Sequence, residues 1–186
     1  KVYPLVDGIR RARERAKPRK FPQTWDLMIN LRGVNLKKPE NRFSLEFYLP
    51  AGRGKKARVG FFADSLAAEA QKQGAEVVVQ KSEIEGLAKD PKRLKAIADG
   101  VDWLYGEMAL MPAIGKGLGQ VLGPRGKVPK PVPPKANVGE IISRARDMVR
   151  LALKESPVIH ATVGAEQMPD QEIARNVEAV VGFVKE

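Results

Sequence analysis

Cysteine is absent from the chain, and histidine occurs once, at position 160. The first absence excludes a disulfide framework and any thiolate metal site. A lone histidine without cysteine makes a poor start for a zinc site, so no metal and no cofactor are expected. No apolar run is long enough to span a bilayer, and no signal-peptide pattern opens the chain. A membrane partner is therefore not expected, and the expected compartment is the cytoplasm. Acids are in the minority, with 22 Asp+Glu against 33 Lys+Arg, a net charge of +11. Such an excess speaks about partners rather than fold and favours a polyanion, nucleic acid first.

The excess is unevenly placed. Residues 1–57 hold 15 Lys/Arg and 5 Asp/Glu, a net of +10. Residues 58–134 hold 11 against 9, a net of +2, and residues 135–186 hold 7 against 8, a net of −1. The electrostatic footprint thus lies in the first third.

Periodicity gives the organisation. Leu5, Ile9, Ala12 and Ala16 recur at helical spacing with Arg10, Arg11, Arg13 and Arg15 interleaved, which predicts an amphipathic helix ending before Pro18. Trp25, Leu27, Ile29 and Leu31 alternate with polar residues, as do Phe43, Leu45, Phe47 and Leu49; both predict half-buried strands. From Val59 the pattern changes. Val59 to Ala63 is nearly all apolar, as in a strand covered on both faces. Further strands are expected at 76–80 and 101–105, with helices at 65–73, 82–88, 91–98 and 111–118. This alternation predicts a parallel sheet in a doubly wound domain. After Lys135 the first pattern resumes: a helix through Ile141, Ala145, Met148 and Ala152, a strand at 158–163, and a helix opened by Pro169.

The expected fold class is α/β in two domains. An α+β outer domain, 1–55 with 136–186, receives an inserted doubly wound (Rossmann-like) domain, 57–134. Gly52, Gly54, Pro133 and Pro134 are the expected hinge, because two linkers side by side make one.

Residues 115–135 crowd glycine, proline and cation with no acid between them. Such a stretch reads as a shaped basic loop. It fails as a phosphate-binding P-loop, since Val121 and Val128 stand where glycine and Ser/Thr are needed. Several of these glycines are plain tight turns; Lys116, Arg125, Lys127 and Lys130 remain free to face RNA or the other domain.

Within that stretch, Leu122-Gly123-Pro124-Arg125-Gly126-Lys127-Val128-Pro129 resembles the signature of the ribosomal protein L1 family, the lateral-stalk protein of the large subunit. Lys130-Pro131-Val132-Pro133-Pro134 after it resembles the archaeal form. Lys20-Phe21 with Thr24, Leu49-Pro50-Ala51-Gly52-Arg53-Gly54-Lys55, and Ile159-His160-Ala161 leading to Val163-Gly164 match in the same order. The resemblance implies a non-enzymatic, monomeric component of the ribosome. Its implied partners are ribosomal RNA, deacylated tRNA at the exit site, and its own messenger RNA as a repressor. It implies RNA contacts at Lys20, Phe21, Thr24 and Asp26, with His160 and Gly164 near the second strand. Asp26 stands where the family often has glutamate. The family pattern continues into a further strand bearing Thr-Met-Gly-Pro; the chain stops at Glu186, so the outer domain is expected to lack that strand.

From pattern alone, Phe21 is either an RNA-facing aromatic or a core residue at a strand start. His160 alternates with Thr162, and a satisfied surface or core histidine is its plainer reading. The competing function is a small α/β enzyme acting on an anionic, phosphate-bearing substrate. It would bind at the carboxyl ends of the strands at 59–63 and 101–105.

Overall fold

A computed structural model describes residues 2–185, which divide into two compact units, 2–56 with 147–185, and 57–146.

The outer unit begins with α1 (Leu5–Arg15), then β1 (Thr24–Asn30) and β2 (Phe43–Tyr48). After the insertion come β7 (Met148–Leu153), β8 (Val158–Ala165) and α7 (Asp170–Lys185). β1 pairs antiparallel with β8, and β2 with β7. β7 and β8, consecutive in the chain, lie against one another. Period-two alternation sends Val149, Leu151, Leu153, Ile159 and Ala161 inward, where Ile173 and Val180 of α7 complete the core. Phe47 packs on Phe183 of α7 with ring centroids 5.0 Å apart. Of the expected α1 stripe only Ile9 is buried. Arg13, expected on the basic face, instead turns inward: its Nε donates to Asp170 Oδ1 at 2.8 Å and its Nη2 to the Met168 carbonyl at 2.7 Å.

The inserted unit runs β3 (Val59–Phe62), α2 (Ala67–Lys72), β4 (Val77–Val79), α3 (Lys81–Lys89), α4 (Pro91–Gly100), β5 (Trp103–Glu107), α5 (Met111–Leu122), β6 (Lys130–Val132) and α6 (Val138–Arg146). Its parallel sheet has the order β4-β3-β5-β6. All four residues of β3 and all five of β5 are buried, as a sheet covered on both faces requires. Helices α3, α4 and α5 pack together on Phe62, Leu104 and their neighbours, and α2 packs with α6.

Three expectations change. The helix read through residues 141–152 is a helix followed by a strand. Val149, Leu151 and Leu153 are buried and their neighbours half-exposed, so period two governs from Met148 onward. Consequently α6 belongs to the inserted unit, where Val138, Ile142 and Ala145 bury beside α2 and β3, and the second crossing falls at Arg146/Asp147 rather than near 136. Finally, the stretch 115–135 is not one loop. Ile114, Leu118 and Leu122 bury at i, i+4 and i+8, which carries α5 to Leu122. Lys130-Pro131-Val132 adds an edge strand, the place where a sheet tolerates proline.

Candidate nucleic-acid interface

The outer unit presents one exposed face on β1 and β8. In the β1–β8 register Asp26 lies opposite Thr162, Met28 opposite His160, and Asn30 opposite Val158. Thr24, Asp26, Met28, Asn30 and His160 are exposed, because each is in the phase opposite to the inward Trp25, Leu27 and Ile29. Thr162 Oγ1 donates to Asp26 Oδ1 at 2.8 Å, linking the two strands across the face. The sequence reading missed Met28, which is 68% exposed. The signal was available: Met28 shares the period-two phase of Asp26 and Asn30.

Lys20 and Phe21 lie just before β1, and both are exposed, Phe21 at 64%. The loop carrying them is fixed at its far end. Gln23 N donates to Glu166 Oε2 at 2.9 Å and Glu166 N to the Gln23 carbonyl at 2.8 Å. Gln23 Nε2 reaches back to the Lys17 carbonyl at 3.0 Å. Arg13, in turn, donates to the Glu166 carbonyl. The exposed ring therefore precedes a hydrogen-bonded anchor at Gln23 and Glu166.

Gly164 does not join this face. The β1–β8 ladder shifts register between Trp25 and Asp26, so that Trp25 pairs with Gly164 and Asp26 with Thr162. The extra residue, Val163, breaks the alternation. Gly164 is thereby buried, and a Cβ on it would lie 3.1 Å from Ile173 Cγ1 and 3.3 Å from Met168 Sδ. Its role in this geometry is close packing against α7.

The expected hinge residues separate. Gly52 and Gly54 precede the first crossing with φ of +75° and +76°, where L side chains are strained. A Cβ on Gly54 would come within 2.7 Å of both Ala165 Cβ and Met168 Sδ. Asn176, fully buried, clamps the same segment: its Nδ2 donates to the Gly52 and Val163 carbonyls, each at 2.8 Å, and its Oδ1 accepts from Ala51 N at 3.0 Å. Pro133 and Pro134 are not at a crossing. They form a turn closed by Ala136 N to the Pro133 carbonyl, between β6 and α6 inside the inserted unit.

The cations of the glycine-proline stretch are mostly engaged within the inserted unit. Arg125 pairs with Asp99. Lys127 Nζ donates to the Val101 and Asp102 carbonyls at 2.8 and 2.9 Å, tying the stretch to the end of α4. Lys130 Nζ lies 5.0 Å from the Trp103 ring centroid and 5.4 Å from that of Tyr105. Of the four, Lys116 alone is exposed; Arg125, Lys127 and Lys130 are half-buried.

The crevice that a doubly wound enzyme would use is occupied by the chain itself. Glu107, 6% exposed at the carboxyl end of β5, accepts from Asp64 N at 2.8 Å, Ser65 N at 3.1 Å and Ser65 Oγ at 2.5 Å. The Ser65 hydroxyl and the Asp64 amide hold its carboxyl below the usual range, against the opposing effect of burial. The amides after β3, where a phosphate would seat, are filled by a fixed anion. Among the described residues, no three of His, Cys, Asp and Glu gather as a metal cage.

With the crossings where the structure puts them, the outer unit holds 19 Lys/Arg and 12 Asp/Glu, a net of +7, and the inserted unit 14 and 10, a net of +4.

Comparison with known proteins adds two findings. The model of the Ribosomal protein L1p/L10e family matches residues 12–186. The chain is 42% identical over 181 residues to the large ribosomal subunit protein uL1 of Pyrococcus horikoshii, covering 97% of this chain and 83% of that protein. It is 44% identical to its counterpart in Thermococcus kodakarensis, covering 97% and 84%. In Methanothermobacter thermautotrophicus the figures are 40% over 178 residues, 95% and 84%.

Proposed function

Because the chain belongs to the ribosomal protein L1p/L10e family, we propose that its outer unit holds ribosomal RNA of the large-subunit stalk through the face of β1 and β8 and the loop that carries Lys20 and Phe21. It is a structural ribosomal protein and not an enzyme, and it resides with the ribosome in the cytoplasm. The observation that carries the proposal is the exposed Phe21 ring beside Lys20, on a loop pinned by Gln23 and Glu166. Phosphates are neutralised by cations, and unstacked bases are taken up by aromatic rings and read along their edges. Lys20 supplies the first, Phe21 the second. Thr24, Asp26 and His160 supply hydroxyl, carboxylate and imidazole groups for base edges and 2′-hydroxyls.

Two finer roles extend the same reading. A stalk protein bound near the exit site touches deacylated tRNA as it leaves. A protein that recognises a folded rRNA motif also recognises a copy of that motif in its own messenger, and so represses its translation. The first is tested by crosslinking this chain to exit-site tRNA in reconstituted large subunits. The second is tested by adding the protein to a translation extract with a reporter behind its own leader.

The RNA site itself is tested by titrating stalk rRNA with Phe21→Ala and Lys20→Ala at several salt concentrations. Phe21→Ala weakens binding by about 1–3 kcal/mol, the scale of one stacking contact. Lys20→Ala lowers the salt slope by about 0.7–0.9, one phosphate contact. Since both side chains are exposed, the folded state changes by less than about 0.5 kcal/mol. Wild-type affinity and slope in both variants refute the site.

A further inference from the structure

The inserted unit carries an open cleft, of about 390 Å³, that the RNA face of the outer unit does not use. Pro91, Lys92 and Lys95 of α4 form one wall; Gln120 and Val121 of α5, with Pro124 and Arg125 beyond its end, form the other. The floor is apolar and the rim is cationic. Both nearby acids are already engaged. Asp90 Oδ1 caps α4 by accepting from Lys92 N and Arg93 N, each at 3.1 Å. Asp99 is paired with Arg125. The ammonium groups of Lys92 and Lys95, both exposed, have no ion-pair partner among the described residues. The far wall adds no negative charge, since no Asp or Glu occurs between Met108 and Gly139.

We propose that this cleft takes an unstacked nucleotide of RNA, giving the inserted unit a contact of its own. The inference rests on the RNA-binding reading of the outer unit. The chemistry of each wall matches one part of a nucleotide. Pro91, Val121 and Pro124 offer flat apolar surface to a base that has left its stack. Gln120 brings an amide, both donor and acceptor, to the base edge. Lys92 and Lys95 stand one helical turn apart on the rim and meet the flanking phosphates as point charges. The size of the cleft falls within the range of small-ligand pockets. An acidic protein segment would satisfy the lysines but would leave the apolar floor and the Gln120 amide without a matching group.

The experiment uses the full chain and an in vitro transcript of large-subunit rRNA substituted with 4-thiouridine. After irradiation, nucleotide adducts are mapped to peptides. Adducts are expected on residues 91–95 or 120–125, in addition to those near Phe21. The double variant Lys92→Ala/Lys95→Ala loses the first set, keeps the second, and binds with a salt slope shallower by about 1.4, two phosphates on single-stranded RNA. Its melting temperature stays at the wild-type value, since both side chains are exposed. If cleft adducts are absent and the slope is unchanged, while Phe21→Ala still weakens binding, the cleft inference fails and the outer-unit reading stands. If neither set of variants affects binding, both fail.

Discussion

Asn176 is the sharpest place to perturb the outer unit. It is fully buried on α7, and its amide makes three hydrogen bonds, two donated to carbonyls and one accepted from an amide. Asn176→Ala leaves the buried Val163 carbonyl and the half-buried Ala51 N and Gly52 carbonyl without their partner. Each orphaned buried group costs about 1–3 kcal/mol, and partial relaxation brings the sum to about 3–5 kcal/mol. Asn176→Asp is the more telling change. The new carboxylate keeps the bond from Ala51 N but turns its other oxygen, a pure acceptor, toward two carbonyl oxygens. Burial and that repulsion raise its folded pKa above the unfolded value of about 3.9. The penalty is therefore greatest at neutral pH and is relieved as pH falls, when the protonated acid donates to one carbonyl. Asn176→Ala has no such pH dependence of its own. The two tryptophans, Trp25 in the outer unit and Trp103 in the inserted unit, make the assay specific. In a Trp103→Phe background, fluorescence during urea unfolding reports the outer unit alone. The outer transition of Asn176→Ala should move to lower urea at constant m, and that of Asn176→Asp should recover in part between pH 7.5 and 5. A loss below about 1 kcal/mol in Asn176→Ala, or a pH response of opposite sign in Asn176→Asp, refutes the clamp.

Other perturbations separate packing from charge. Glu107→Ala removes the acceptor of three hydrogen bonds in the inserted unit and should cost about 2–4 kcal/mol, read by Trp103 fluorescence in a Trp25→Phe background. Because the folded pKa of Glu107 is lowered, the stability it contributes is complete above the unfolded value of about 4.3 and is lost as pH falls through the folded pKa. The wild-type inserted unit should therefore lose more stability than the Glu107→Gln unit on acidification below about pH 4.3, and equal acid sensitivity would count against the carboxylate plug. Gly54→Ala drives a Cβ into Ala165 and Met168 at a positive φ and should cost about 2–4 kcal/mol. Gly115→Ala, on the open side of α5, meets nothing within 4 Å and should stabilise by about 0.5–1 kcal/mol in thermal melts. Lys127→Ala loses its bonds to Val101 and Asp102 and should lower the inserted unit's stability by about 1–3 kcal/mol without RNA present; an unchanged urea midpoint would show that the tie is not holding the loop.

Local period was legible in the chain wherever one face is buried and the backbone is regular. The strands around Trp25 and Phe43 and the buried run at Val59 follow from it, because burial alone decides which residues must be apolar. It failed at two kinds of place. At 148–153, Met148, Val149 and Ala152 satisfy a helical stripe as well as a strand, and only Leu151 and Leu153, both buried in the outer core, break the tie. At Gly164 the register shift opposite Trp25 and Asp26 turned an outward phase inward, and no alternation pattern can announce an extra residue. Long-range partners were equally hidden. Arg125 and Lys127 looked free because Asp99, Val101 and Asp102 lie in a different element, some 25 residues back. The consequence reverses the usual use of a motif. The run Leu122 to Pro129 is the most distinctive in the chain and the one that carries the family resemblance, yet its charges are largely engaged in holding the inserted unit together. Lys20-Phe21 is a pair any protein might contain, placed between Pro18 and Pro22 where no strand phase applies. Its exposure could not be read from pattern, and it is this exposed pair that the proposed RNA site rests on. A stretch that must satisfy many internal contacts at once is constrained in order and so is recognisable. A contact side chain answers only to its ligand, and leaves little trace in the spacing of its neighbours.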